Sequence, residues 1–163
     1  MKIISGGQTG VDRAALDVAL KHGIDCGGSC PPGRLDESGR IPDHYPLKEL
    51  EEGSFADRTL QNVKDSDGTV VIYFNELRAG TEYTVQCCKQ LRRPRKLINA
   101  ADISSQDAAK LIVDFVREHK IDILNVAGPR QSEWPEGYEY ASRALEIFLN
   151  LVGRIASRST RKR

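Results

Sequence analysis

Short apolar runs of strand length alternate along the chain with stretches whose apolar residues recur at helical spacing. That alternation predicts an α/β domain on a mainly parallel sheet with helices on both faces. The first run, Lys2-Ile3-Ile4-Ser5, leads into a helix striped by Val11, Ala15, Val18 and Ala19 and stopped at Gly23. A short strand is expected near 24–26, a helix over 56–65, and a central strand over 68–74. The next helix gathers Thr84, Cys87, Cys88 and Leu91 on one face, and a strand at 96–99 follows. Ser104 with Asp107 predicts a capped helix whose inner face is Ala108, Leu111, Ile112, Phe115 and Val116. A strand at 121–127 precedes the last helix, roughly 138–156, which carries apolar residues well beyond one face. A helix of that kind lies between two layers or meets a second copy, and a homo-oligomer is expected.

The stretch GGSCPPGRLDESGRIPDHYPL interrupts the alternation. It is too long for a simple connection, and long ordered loops in compact domains usually serve function. Cys30, Ile41, Tyr45 and Leu47 give it something to bury, so an ordered loop is expected.

With 163 residues, 39% apolar and 29% charged, the chain suits one globular domain, placed at 1–157. No apolar run approaches the ~20 residues needed to span a bilayer, and nothing at the start resembles a signal sequence. A cytoplasmic protein without membrane contact is expected. The net charge of +1 hides an asymmetry. Arg158, Arg161, Lys162 and Arg163 supply four cations, leaving the body three negative, so 158–163 is expected to be a disordered basic tail. A nucleic-acid partner is not expected, because that charge is off the folded face. The four cysteines form no disulfide framework or convincing zinc spacing, and no metal site is predicted.

Candidate chemistry concentrates in two turns. Gly6-Gly7-Gln8-Thr9-Gly10 follows a strand and opens a helix, where free amides and the helix dipole favour an anion such as phosphate. The run lacks the lysine of a Walker A loop, and Ser5 stands where a dinucleotide fingerprint has its first glycine. Asp12 and Arg13 lie in the first helical turn. They are either a solvated face, with pairs Arg13–Asp17 and Asp17–Lys21, or Arg13 turns toward the bound anion. Gly80-Thr81-Glu82-Tyr83-Thr84 opens the helix after the central strand, at the same sheet edge. Thr81 there is either an ordinary cap or part of the site. Arg34, Arg40 and Arg58 could each close over an anion, and Arg130 follows the last strand. His22, His44 and His119 lie in unrelated contexts, and no catalytic residue is assigned.

The segments GGQTGVDRAALD, CPPGRLDESGRIPDHYPL, DRTLQNVKDSDGTVVIYF and GTEYT, in that order and spacing, resemble the molybdenum carrier family. The resemblance covers residues 1 to about 96. It implies a single Rossmann-like domain that binds the molybdenum cofactor (molybdopterin) and protects or delivers it without turnover. The phosphate of that cofactor would lie on Gly6, Gly7 and Thr9 with Arg13 nearby. Its molybdenum end would face Gly80 and Thr81, or Arg34. Gln8, Gly10, Glu82 and Thr84 complete the expected binding set. Molybdoenzymes or cofactor-synthesis proteins would be the partners. Two other readings stay open: a nucleotide sensor or hydrolase using the same pocket with Glu82 as its acid, and an interaction module built on the last helix and the tail.

Overall fold

The predicted strands assemble into one five-stranded parallel sheet with the order β2-β1-β9-β7-β8. These are β1 (Lys2–Ile4), β2 (Asp25–Gly27), β7 (Gly68–Tyr73), β8 (Arg95–Asn99) and β9 (Ile123–Ala127). A computed structural model describes residues 1–160, with side chains through Arg154. The basic side chains of the expected tail therefore lie outside the described residues. Register places Ile3 between Cys26 and Leu124, and Val70 between Lys96 and Val126.

The order matters more than the count. Helix α1 (Val11–Lys21) carries the chain outward from β1 to β2, and α3 (Ala79–Gln90) carries it outward from β7 to β8 in the opposite direction. Right-handed crossovers then place α1 and α3 on opposite faces. Helix α5 (Gly137–Thr160) packs between α1 and α4 (Ser105–Glu118), and α2 (Phe55–Lys64) packs against α3. The last strand, β9, fills the gap between the two diverging halves.

Each stripe behaves as its spacing predicts. Val11, Ala15, Val18 and Ala19 are buried, as are Ala108, Ile112 and Phe115. Ser104 accepts a hydrogen bond from the Asp107 amide at 3.1 Å and starts α4. Ala141, Ala144, Leu145, Phe148 and Leu149 of α5 are buried, while Ile147, Leu151 and Val152 pack against the same core. Sandwiching between α1 and α4 accounts for that wide stripe, which does not call for a second copy. Cys87 and Cys88 join Val63 in a smaller core between α2 and α3. All four thiols are free and buried, and burial pushes each above its ordinary titration range.

The long segment is ordered. It forms β3 (Ser29–Cys30) paired with β6 (Lys48–Glu49), a 3-10 turn at Pro32–Arg34, and a hairpin of β4 (Leu35–Asp36) and β5 (Gly39–Arg40). Cys30, Ile41, Tyr45 and Leu47 are buried, as the sequence suggested. Arg34 supplies what apolar burial alone does not. Its guanidinium donates to the carbonyls of Leu47, Pro42 and Tyr45, each at 3.0 Å, and to that of Ile41 at 3.4 Å. One cation thus gathers four backbone acceptors of the loop, of which Tyr45 O and Pro42 O also take backbone amides.

Phe148 is fully buried where α5 faces the sheet. Phe148→Ala should lower stability by about 3–5 kcal/mol, a large-to-small change in a packed core. Denaturant unfolding of both proteins checks this.

Candidate functional site

The strand order creates a crevice beyond the carboxyl ends of β1, β9 and β7, where α1 and α3 leave on opposite faces. Open parallel sheets bind ligands at such a switch point. A cleft of about 290 Å³ lies there, near the lower bound of roughly 300 Å³ for small-molecule sites. Gln8 and Asp12 line it from the start of α1, and Ala127 and Gly128 from the end of β9. Phe55, Ala56, Arg58 and Thr59 of α2 form one wall. Ala79, Gly80, Thr81, Tyr83 and Thr84 of α3 form the other, with Arg130 and Glu133 at the rim.

A buried ion pair closes the floor. Arg58 Nη1 lies 2.9 Å from Asp12 Oδ2, and the two side chains keep 13% and 4% of their exposure. Burial lifts the Asp12 carboxyl above its ordinary value, although Arg58 and the Gln8 amide oppose the shift. Asp12 Oδ2 also accepts from Gln8 N at 3.4 Å. The reading of Asp12 as a solvated residue is corrected here. Asp17, the expected partner of Arg13 and Lys21, instead accepts hydrogen bonds from Tyr45 and Tyr138, at 2.6 and 2.7 Å.

The first glycine turn is filled from within the chain. A Cβ on Gly6 would fall 1.3 Å from Arg58 Nη1, so this glycine makes room for the guanidinium. Gly7 has φ +74 and would place a Cβ 2.3 Å from Leu47; Gly10 has φ +78 and abuts the Pro129 carbonyl. Neither position tolerates a side chain. The Thr9 amide donates to Gln8 Oε1 at 3.0 Å, and the Val11 amide donates to Pro129 O at 3.3 Å. Ser5, standing where a dinucleotide loop has glycine, donates from its hydroxyl to Val126 O at 2.7 Å and ties the turn to β9.

Arg13 does not line the cleft. It pairs with Asp36 at 2.7 Å, donates to Gly7 O at 3.1 Å, and lies over the Tyr45 ring. Burial opposes the Asp36 charge, but hydrogen bonds from Ser38 and Arg13 outweigh it and hold the carboxyl below its usual range. Arg34 is taken up by the loop carbonyls, and Glu82, exposed in the first turn of α3, does not line the cleft. Thr9 faces the loop hairpin. Of the residues read from the sequence, Gln8, Arg58, Gly80, Thr81, Thr84 and Arg130 line the cleft, with Gly6 in a small recess beneath.

The second turn is open. Arg78 caps α3 in extended conformation without any side-chain hydrogen bond, so Thr81 is not the cap. Ala79 and Gly80 are exposed at the cleft, and their first-turn amides have the geometry to meet an anion. Thr84 donates to Gly80 O at 3.1 Å and stiffens this turn. The aromatic wall at Phe55 and the acid Glu133 were not anticipated. Phe55 opens α2 as an exposed apolar residue, which no period distinguishes from an ordinary surface position.

The sequence pattern of the circularly permutated YpsA SLOG family matches residues 3–149. The chain belongs to that family. A crystal structure of the putative molybdenum carrier protein from Syntrophus aciditrophicus SB is similar to this SLOG-family chain at 47% identity. The likeness covers 91% of this chain and 94% of that one, with a TM-score of 0.89. No curated protein matches. The family match extends past residue 96 and so takes in β9, whose end lines the cleft, and the first part of α5. No helix among the described residues is long and apolar enough to cross a membrane.

Removing Arg58 would leave Asp12 buried and unpaired. Arg58→Met should cost about 3–5 kcal/mol at neutral pH. The sign follows from the raised native value: the protonated carboxyl favours the folded state. Without Arg58 the carboxyl should titrate higher still, so the deficit should grow as pH rises above the parent's already raised value, and narrow on acidification below it. Urea midpoints of parent and variant across that range measure it.

Proposed function

We propose that the cleft binds a small phosphorylated ligand, and that the protein carries the molybdenum cofactor without turnover. The open first turn of α3 is the observation that carries this reading. Its amides at Ala79, Gly80 and Thr81 form one end of the cleft, where the helix dipole favours a phosphate. Arg58 and Arg130 add positive charge along the floor and rim. Phe55, 46% exposed, offers a flat apolar face for the pterin. The relative named a molybdenum carrier supports the choice of cargo. In this reading the cytoplasmic cofactor passes between synthesis proteins and molybdoenzymes, and the cleft, open on one side, lets it enter and leave.

Phe55 suits a purine as well as a pterin, so a nucleotide sensor or hydrolase is the second reading. In the hydrolase version, Glu82 would have to act from outside the cleft lining; Glu133, at the rim, is the better placed acid.

A thermal-shift panel separates the two: molybdenum cofactor, metal-free pterin, molybdate, AMP, ADP-ribose and NAD, with product analysis on each sample. A ligand at about 100 times its Kd adds about 2.7 kcal/mol of stability. Stabilisation by the intact cofactor without product is expected; stabilisation by a nucleotide, or its cleavage, would move the protein to the second reading. Ala79→Pro tests the α3 turn directly. Proline suits the first helical position, and Arg78 is already extended as a residue before proline must be. The helix should persist while one donor disappears, weakening the bound ligand about ten- to a hundredfold, the value of a hydrogen bond to a charged group.

A further inference from the structure

At the rim of the cleft, a side chain of the long loop sits among donors contributed by two other loops. Glu37, at the tip of the β4–β5 hairpin, receives hydrogen bonds from the hydroxyls of Thr9 and Ser132. The Ser132 amide donates to it at 3.1 Å, and Arg130 Nε lies 4.0 Å away. The Glu37 side chain is 17% exposed. Burial works against its charge, yet the bonds from Ser132 and Thr9 outweigh that and hold the carboxyl below the usual range. Thr9 and Ser132 come from the loops after β1 and β9, both at the carboxyl edge of the sheet.

We infer that this donor set is an oxyanion seat, held by Glu37 in the free protein and taken by the phosphate group of a ligand when Glu37 swings out. The chemistry of the seat is one-sided. Thr9 Oγ1 already accepts the Gln131 amide at 3.1 Å, which turns its own hydrogen toward Glu37. Two hydroxyls, one amide and a guanidinium thus face a single anion. A tetrahedral oxyanion offers such donors more acceptor oxygens than a carboxylate does.

The hairpin permits the exchange. Its anchor is the neighbouring Asp36, which is buried and fixed by Arg13 and Ser38, not by Glu37. Around the tip, Ser38, Gly39 and Arg40 are exposed, and nothing lies within 4 Å of where a Gly39 side chain would begin. Glu37 can therefore leave by rotating its own side chain while the hairpin stays attached. Arg130 connects the two regions, since it lines the cleft and also reaches Glu37 and Glu133. The seat shares no residue with the α3 turn and does not rest on it.

Glu37→Gln tests this, because it keeps the size and a carbonyl acceptor but removes the competing charge. Inorganic phosphate and AMP are each titrated by calorimetry into the parent, Glu37→Gln, and Glu37→Gln with Ser132→Ala. Phosphate should bind the single variant at least about tenfold tighter than the parent, and Ser132→Ala should abolish that gain. A parallel gain for AMP identifies the phosphate of an organic ligand as an occupant; a gain for phosphate alone identifies the free ion. No gain for either, or a gain that survives Ser132→Ala, overturns the seat. A cofactor that still stabilises the parent in that case leaves the cleft reading standing. Unfolding midpoints confirm that each variant is folded.

Discussion

The pair Asp12–Arg58 holds the architecture of the site together. Both charges are nearly removed from water, and such a pair is stable only when geometry and further hydrogen bonds compensate the desolvation. Here the pair joins the first turn of α1 to the first turns of α2, across the carboxyl end of the sheet. It sets how near the two helices come, and so the floor of the cleft between them. It also explains Gly6, because no side chain fits between the backbone turn and the guanidinium.

A second cation does a comparable job for the long loop. Arg34 gathers four carbonyls inside the loop, and Arg13 clamps its hairpin through Asp36 while lying on Tyr45. Both arginines look like ligand groups when only their position in the chain is known. Inside the fold they donate to buried backbone and carboxylate acceptors, alongside donors that the loop itself supplies. The cations that face the cleft are Arg58 and Arg130, one half-committed to Asp12 and the other poised between Glu37 and Glu133.

The two glycine turns consequently differ in kind. The turn after β1 is closed by contacts from Leu47, Arg58, Pro129 and its own Gln8, and it serves as scaffold. The turn at the start of α3 has no side-chain cap and borders the cleft. The cleft chemistry is therefore asymmetric, with dipole and amides at one end and side-chain cations at the floor and rim.

Much of this protein is local and was readable from residue order. The alternation of strand runs and helical stripes is a pattern of burial at periods of two and 3.6, and it determined every main element. The buried set of the long loop, Cys30, Ile41, Tyr45 and Leu47, was visible because apolar residues in a polar stretch need a core. The family resemblance, resting on ordered motifs, was visible for the same reason. What tertiary structure decided is which polar group meets which. Arg58 and Asp12 lie 46 residues apart, and Glu37 and Ser132 lie 95 apart. Nothing periodic links such positions. Strand order brings their loops together at one sheet edge, and desolvation there then makes each buried charge find a partner. That selection, acting only once the chain is folded, separated scaffold arginines from those that face the cleft.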